Sequence, residues 1–360
     1  MKVVHIISNL NNGGAEGVLY RLCKSDTIQN HIVISMTGEG KYKLMLRNVG
    51  IDVYCLNMNN NRAYFKGFLK LLKLLRKLKP DIIQTWMYHA DFFGGITARL
   101  LGFKNIFWNI RHTKLLPSES KKTTRILANI SARLSGIIPK RIICCAEEAL
   151  WVHSEMGYKK LKMTVIANGY DISLFKPCDK LRLSLRDELN LNLKTIILGM
   201  VGRFHPQKNY LGLLKALSIV KDSIDDFKFL LIGRDLNHDN LVLSNEIKRQ
   251  NLESNILLLN QRSDIPFVMN ALDINVLSSS SGEGFPNVLA EAMACGTPCV
   301  TTNIGDAALI VNDTGWFSPP NDPISLSNAI IQAIEERSND KQSWALRKQN
   351  CRDRIIENFS

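Results

Sequence analysis

No stretch of this 360-residue chain reaches the run of about 18–20 apolar residues that a membrane-spanning helix requires. The opening segment Met1–Ser8 is a short apolar strand running into a loop. It lacks the longer apolar stretch and the small-residue cleavage site of a secretory signal. The chain is therefore expected to be neither secreted nor integral to a membrane by that route, and to work in the cytoplasm. Its 8 cysteines form no Cys-x-x-Cys pair and no alternating Cys/His ligand set. A disulfide scaffold is excluded, no structural metal is expected, and the thiols read as small core residues of a reducing compartment. With 22 Gly and 11 Pro, collagen-like and mucin-like classes are excluded as well. No long polar tract argues for disorder. What is present is an ordinary globular composition, 45% hydrophobic and 22% charged. Single cores stop growing near ~250–300 residues, so two domains are expected.

Charge is uneven along the chain. The formal net charge is +13, yet residues 1–170 carry 26 Lys and Arg against 10 Asp and Glu, and the remainder is slightly acidic. Such asymmetry points to a polyanion meeting the first half: nucleic acid, an anionic membrane or a diphosphate-bearing substrate. The densest basic stretch is residues 64–79, closed by Pro80. Apolar residues at 65, 68, 69, 72 and 75 fit a helical stripe, with Lys66, Lys70, Lys73, Arg76 and Lys77 opposite. Two readings stand side by side. One is a membrane-surface helix, the other a crossover helix with a solvated basic face. A second basic segment starts at Lys121, Lys122 and Arg125 and ends at Lys140-Arg141.

Short apolar runs alternate with helical patterns along the whole length. Strands are expected at 3–7, 31–35, 52–56, 82–85, 106–110, 142–145 and 164–166. A second set is expected at 196–201, 227–232, 256–259, 274–277 and 299–301. Helical patterns lie between most of them, for example 15–24, 211–221, 240–250 and 287–295. This alternation predicts parallel sheets flanked by helices, and the strand count predicts two of them. The turn signal Asn168-Gly169 and the polar stretch after Pro177 put the boundary near 168–177. The expected organisation is a basic first domain at 1–172, a ligand-binding domain at 173–340 and a C-terminal helix at 341–360 that crosses back to the first. Ligands of such sheets bind outside the carboxyl ends of the strands, here expected in a cleft between the domains.

Three strand-to-helix loops carry chemistry. Asn11-Asn12-Gly13-Gly14-Ala15-Glu16 follows the first strand and opens a helix, where backbone amides can approach an anion; a plain tight turn is the competing reading. Gly202-Arg203 with Lys208 follows the apolar run 196–201 and offers two cations for phosphate oxygens. The third is Ser278–Ser281 followed by Gly282-Glu283-Gly284-Phe285-Pro286-Asn287-Val288-Leu289-Ala290-Glu291. Here a helix starts near Asn287 and ends at Gly296, with Pro298 beyond. Its start suits a diphosphate, and Glu283 and Glu291 are placed to hold sugar hydroxyls on either side. Taken singly, each glutamate reads as an ordinary solvated charge.

Glu283 and Glu291, with seven residues between them in the Glu-Gly-Phe-Pro-Asn-Val-Leu-Ala-Glu context, resemble the paired-glutamate motif of the retaining glycosyltransferases of family 4, which have the GT-B fold. The order of the other motifs agrees along nearly the whole chain: Gly13-Gly14-Ala15-Glu16, Asn168-Gly169-Tyr170-Asp171, Gly202-Arg203 with Lys208, Asp313-Thr314-Gly315-Trp316, and Pro319–Pro323. The resemblance implies two doubly wound, Rossmann-like domains facing a cleft. It implies a nucleotide-diphosphate-sugar donor, expected to be UDP-linked, held mainly by the second domain. Arg203 and Lys208 would neutralise the leaving diphosphate, Glu283 would bind the donor sugar, and Glu291 the ribose. Backbone amides at Phe285, Pro286, Asn287, Val288 and Leu289 would touch sugar and phosphate. Gly14 would approach the phosphate and acceptor side. His112, in Asn109-Ile110-Arg111-His112-Thr113, would lie near the reacting sugar, with a core or surface histidine as the alternative.

The acceptor is expected to be a glycan or a polyprenyl-diphosphate-linked glycan of surface polysaccharide such as O-antigen or capsule. The enzyme is expected to visit the cytoplasmic face of the inner membrane, with no cofactor, no metal and no nucleic-acid partner. Two departures from the family pattern are Gly233-Arg234-Asp235-Leu236, where many members have Gly-x-Gly-Pro, and Leu309, where many have a carboxylate. The competing classes are a nucleotide-sugar epimerase of the same architecture and a non-enzymatic nucleic-acid binder. The second lacks aromatic platforms or a reading module.

Overall fold

The computed structural model describes every residue except 12, 60, 114, 116, 118, 119, 193 and 225, and only the backbone at 61 and 62. The chain divides into two compact units, Met1–Asn168 and Gly169–Ser360.

Among the described residues, the first unit has strands β1 (Lys2–Ile7), β2 (Asn30–Ser35), β3 (Asp52–Cys55), β4 (Ile82–Trp86), β5 (Ile106–Ile110), β6 (Arg141–Cys144) and β7 (Met163–Val165). Between them run α1 (Gly14–Ser25), α2 (Lys41–Asn48), α3 (Asn61–Leu78), α4 (Met87–Leu100), α5 (Lys122–Leu134) and α6 (Glu147–Glu155). The strands lie in the order β3-β2-β1-β4-β5-β6-β7, every pair parallel. Parallel strands need crossovers, and helices on both faces make the central strands apolar throughout. Val4 and Ile6 of β1, Ile83 of β4 and Trp108 of β5 are all fully buried.

The second unit repeats the plan with β8 (Ile196–Val201), β9 (Phe227–Ile232), β10 (Ile256–Leu258), β11 (Ile274–Leu277), β12 (Cys299–Thr302) and β13 (Trp316–Ser318). The order is β10-β9-β8-β11-β12-β13, again parallel. Its helices are α7 (Asp179–Glu188), α8 (Tyr210–Ser223), α9 (Leu241–Arg249), α10 (Ile265–Ala271), α11 (Asn287–Ala294), α12 (Ala307–Val311), α13 (Pro323–Asn339) and α14 (Lys341–Phe359). Side-chain caps start several of them: Asn209 accepts from Gly212 N, Asn240 from Leu243 N, Asp322 from Ser325 N and Asp340 from Ser343 N. Strand β13 is short, bounded by turns, and was not expected from the sequence. The final helix α14 packs on α11 and α13 of its own unit.

One helix differs from the sequence pattern. In α3 the row facing inward is Gly67, Leu71 and Leu75, spaced four apart. Phe65 and Leu69, expected in the buried stripe, are 68% and 42% exposed beside the lysines. Residues two positions from an inward row point roughly opposite to it on a 3.6-residue helix. The cysteines are all free thiols, six buried and two half-buried. Among the described residues no helix is long and apolar enough to cross a membrane.

Candidate active site

The order in which strands are added to the second sheet reverses between β8 and β11. The chain lays β9 and β10 on one side of β8, then returns to place β11 on the other. Loops leaving two such strands diverge, and the crevice at their carboxyl ends is where open α/β sheets bind ligands.

The loop after β8 runs from Gly202 to Asn209 and contains one 3-10 turn, Pro206–Lys208. Tyr210 Oη donates to Gly202 O at 2.7 Å and closes it. The loop after β11 is stitched to this one. Ser278 Oγ donates to Lys208 O at 2.9 Å, and Ser280 N donates to Gln207 O at 2.8 Å. The stitching brings Lys208 Nζ to 2.6 Å from Glu283 Oε1, with the side chains 15% and 11% exposed. Ser279 Oγ donates to the same oxygen at 2.7 Å. One carboxylate oxygen thus holds an ammonium and a hydroxyl in a half-dry setting, where charge interactions are stronger than in water.

The neighbouring loops brace this pair from behind. Gly305 adopts φ +58°, and a Cβ there would lie 2.3 Å from Glu283 O. Only glycine takes that backbone at that separation. Asp306 N donates to Gly284 O at 2.9 Å, and Thr302 Oγ1 to Ser279 O at 2.6 Å. After β9, Phe204 N donates to Arg234 O at 2.9 Å, so the atypical Gly233-Arg234 turn supports the Lys208 loop.

Helix α11 starts immediately after the Glu283 loop and has no acid in its first turn. Such a start favours an anion. Two of the expected amide donors do not serve: Pro286 has no N–H, and Leu289 N is engaged with Pro286 O at 3.1 Å. Phe285 and Leu289 are buried, while Asn287, Val288 and Glu291 are half-buried. Tyr170 Oη donates to Asn287 Oδ1 at 2.6 Å and stacks its ring on Phe285 at 6.3 Å. Phe285 meets Phe359 edge-on at 5.3 Å. Glu291 lies about one turn into α11, and after burial it is the next cause pushing the Cys295 thiol up to about 12. Arg203 is exposed on the β8 loop and, among the described residues, stands outside the Lys208–Glu283–Ser279 cluster.

The first unit holds the other two expected residues. Gly14 opens α1 after β1, whereas Asn12 of the same loop lies outside the described residues. His112 is half-buried in the loop after β5. Its neighbour Arg111 donates to Asn168 Oδ1 at 2.6 Å and Asn109 Oδ1 at 3.2 Å, and its guanidinium lies over Trp86. Burial lowers His153 to about 4, partly opposed by the hydrogen bond to Ala149 O and assisted by the charge of His112.

Sequence reading missed Ser279, Tyr170 and Gly305. A run of four serines does not reveal which one faces Glu283, although Tyr170 stood beside the Asn168-Gly169 turn signal. It also missed a buried group of His5, Cys23 and His31, whose ligand-type atoms lie within 4.8 Å of one another. Hydrogen bonds already engage both histidines. Trp86 Nε1 donates to His5 Nδ1 at 3.3 Å, His5 Nε2 lies 2.9 Å from His31 Nδ1, and His31 Nε2 lies 3.1 Å from Asp26. Burial and the neighbouring His31 lower His5 to about 3, as suits a neutral link in such a chain.

The chain is similar to known proteins in both sequence and fold. Residues 12–174 match the family model "Glycosyltransferase Family 4" and residues 182–350 match "Glycosyl transferases group 1". A UDP-Gal:alpha-D-GlcNAc-diphosphoundecaprenol alpha-1,3-galactosyltransferase of Escherichia coli is 30% identical over 301 residues, 82% of this chain and 76% of the relative. An N,N'-diacetylbacillosaminyl-diphospho-undecaprenol alpha-1,3-N-acetylgalactosaminyltransferase of Campylobacter jejuni is 26% identical over 320 residues, 84% of this chain and 82% of the relative. In structure, the chain resembles HepE of Anabaena, solved with UDP and glucose, at TM-score 0.88 and 23% identity, over 100% of this chain and 96% of that one.

Proposed function

The chain belongs to the glycosyltransferases of family 4, and on that premise we propose that it moves a hexose or N-acetylhexosamine from a UDP-linked donor, with retention, onto a polyprenyl-diphosphate-linked glycan at the cytoplasmic membrane face. The donor and acceptor classes follow the activities of the two relatives and the UDP carried by the structural neighbour. The observation that carries the site is the 2.6 Å contact between Lys208 and Glu283 at the switch point of the second sheet, beside the start of α11.

In this proposal Lys208 and Glu283 hold each other until a donor arrives. The diphosphate then takes the ammonium, and the donor sugar's hydroxyls take the carboxylate. Departure of the nucleotide builds negative charge on the diphosphate and positive charge on the sugar. Lys208, Arg203 and the amides that open α11 are preorganised against that negative charge. Positive charge comes from side chains and a helix start, so no metal is invoked. Glu291 holds the ribose, and Tyr170 fixes Asn287 at the helix start. Gly14 is assigned to the phosphate and acceptor side, and His112 to the reacting sugar. The leaving phosphate oxygen helps remove the acceptor proton, so no side-chain nucleophile is assigned.

The test is transfer of radiolabelled sugar from a panel of UDP-sugars to polyprenyl-diphosphate-linked acceptor. Glu283→Ala and Lys208→Ala should each lower turnover by about 10²-fold or more, the scale of losing one preorganised electrostatic contact. Near-wild-type transfer by both variants rejects the site.

A further inference from the structure

The first unit contains an apolar groove between α3, α4 and α5 that the donor chemistry leaves unused. It has a volume of about 470 Å³ and is lined by Tyr64, His89, Phe93, Thr123, Ile126 and Leu127. That is within the usual range for small-molecule sites. The rings of Tyr64 and Phe93 pack at 5.3 Å and form an aromatic wall. Ile126 is 47% exposed, so the groove presents apolar surface to solvent.

One end of this groove is cationic. Thr123 sits in the first turn of α5, which contains no acid and is capped by Lys121 without a side-chain hydrogen bond. Lys121 and Lys122 are exposed there. Arg125, in the same turn, has a buried Nε with no hydrogen-bond partner among the described residues. His89 is held low first by burial and then by the charge of Lys121. A helix start with two lysines and an arginine matches the charge of a diphosphate. An aromatic-lined trough running from it matches an apolar chain.

We infer that this groove seats the isoprenoid chain of the acceptor's lipid carrier, with the carrier diphosphate at the cationic start of α5. The inference rests on the proposed polyprenyl-diphosphate acceptor and adds where its lipid is read. A concave trough joined to a compact cationic end suits one chain bearing a diphosphate better than the headgroup plane of a bilayer.

Labelling of the full chain with a diazirine-bearing geranylgeranyl diphosphate, followed by peptide mapping, tests the groove directly. Adducts are expected on α4 and α5, competed by geranylgeranyl diphosphate and far less by geranylgeraniol, inorganic diphosphate or phosphatidylglycerol vesicles. Ile126→Glu, at an exposed position, and Phe93→Ala should each cut labelling about tenfold or more, the loss of some 1.4 kcal/mol of binding. In transfer assays Phe93→Ala should raise KM for a long-chain acceptor by a similar factor. It should leave kcat, and KM for a short-chain diphosphate-linked acceptor, unchanged. Adducts elsewhere, equal competition by geranylgeraniol or vesicles, or an equal KM rise for both acceptors overturns the inference. If the wild-type protein glycosylates no lipid-linked acceptor, the acceptor reading falls, and the labelling alone still decides whether the groove takes an isoprenoid diphosphate.

Discussion

Glu283 illustrates how little a residue's type says until its neighbours are known. In sequence it is a loop glutamate; in the fold one of its oxygens accepts from both Lys208 and Ser279. The spacing to Glu291 was legible, because a short helix start imposes it. The serine was not, since β11 had to lie beside β8 before any of the four serines acquired a direction. His153 is a second case. It lies 2.8 Å from Tyr88 Oη and 2.7 Å from Ala149 O, and burial lowers it to about 4. An unfolded histidine titrates near 6.5. Above that pH both states are neutral and the shift contributes nothing. As pH falls from about 6.5 towards 4, the unfolded chain takes up a proton that the folded one refuses, and stability drops. Urea unfolding of wild type and His153→Gln at pH 7 and pH 4.5 should show the wild-type advantage shrinking by about 2–3 kcal/mol at the lower pH. A gap independent of pH removes His153 as the cause.

At the scale of elements, the buried carboxylate of Asp273 ties α7, α13 and β8 of the second unit together. Asp273, just before β11, accepts from Arg182 of α7 at 2.6 Å, Arg186 of α7 at 2.9 Å, Arg337 of α13 at 3.1 Å and Ile197 N of β8 at 2.9 Å. Burial alone pushes this acid up, but the charges of Arg182, Arg337 and Arg186 outweigh it and hold the acid below the usual carboxylate range. Removing this anion takes the carboxylate away from three guanidinium groups, of which Arg186 is fully buried. Asp273→Asn should therefore cost about 3–5 kcal/mol of stability, measured by denaturant unfolding. A loss under 1 kcal/mol contradicts that role. Helix α3 shows the limit of pattern reading at this scale. Its existence and basic face were legible from periodicity. Its inward row was not, because Leu-rich sequence on several faces leaves the rotation to be settled by packing on the sheet.

Across the whole molecule, the excess of positive charge lies in residues 1–170. On α3, Lys66, Lys70, Lys73, Arg76 and Lys77 are exposed together with Phe65 and Leu69. Apolar side chains among lysines suit the headgroup region of an anionic membrane, where each lysine contributes about 1 kcal/mol. Reversal of Lys66, Lys70, Lys73 and Lys77 to Glu should abolish flotation with phosphatidylglycerol vesicles while leaving neutral vesicles unaffected. Unchanged flotation discards this face as a membrane contact.

The sequence by itself determined the two-sheet plan, the strand-to-helix alternation and the paired glutamates, because these are local: hydrophobic periodicity, turn residues and fixed spacing report on neighbours along the chain. Tertiary structure alone decided which cation meets Glu283, which serine supports it, which side of α3 turns inward and that α3, α4 and α5 enclose an apolar groove. Each of these depends on strands far apart in sequence coming to lie side by side, and parallel pairing leaves no trace of its partner in either strand.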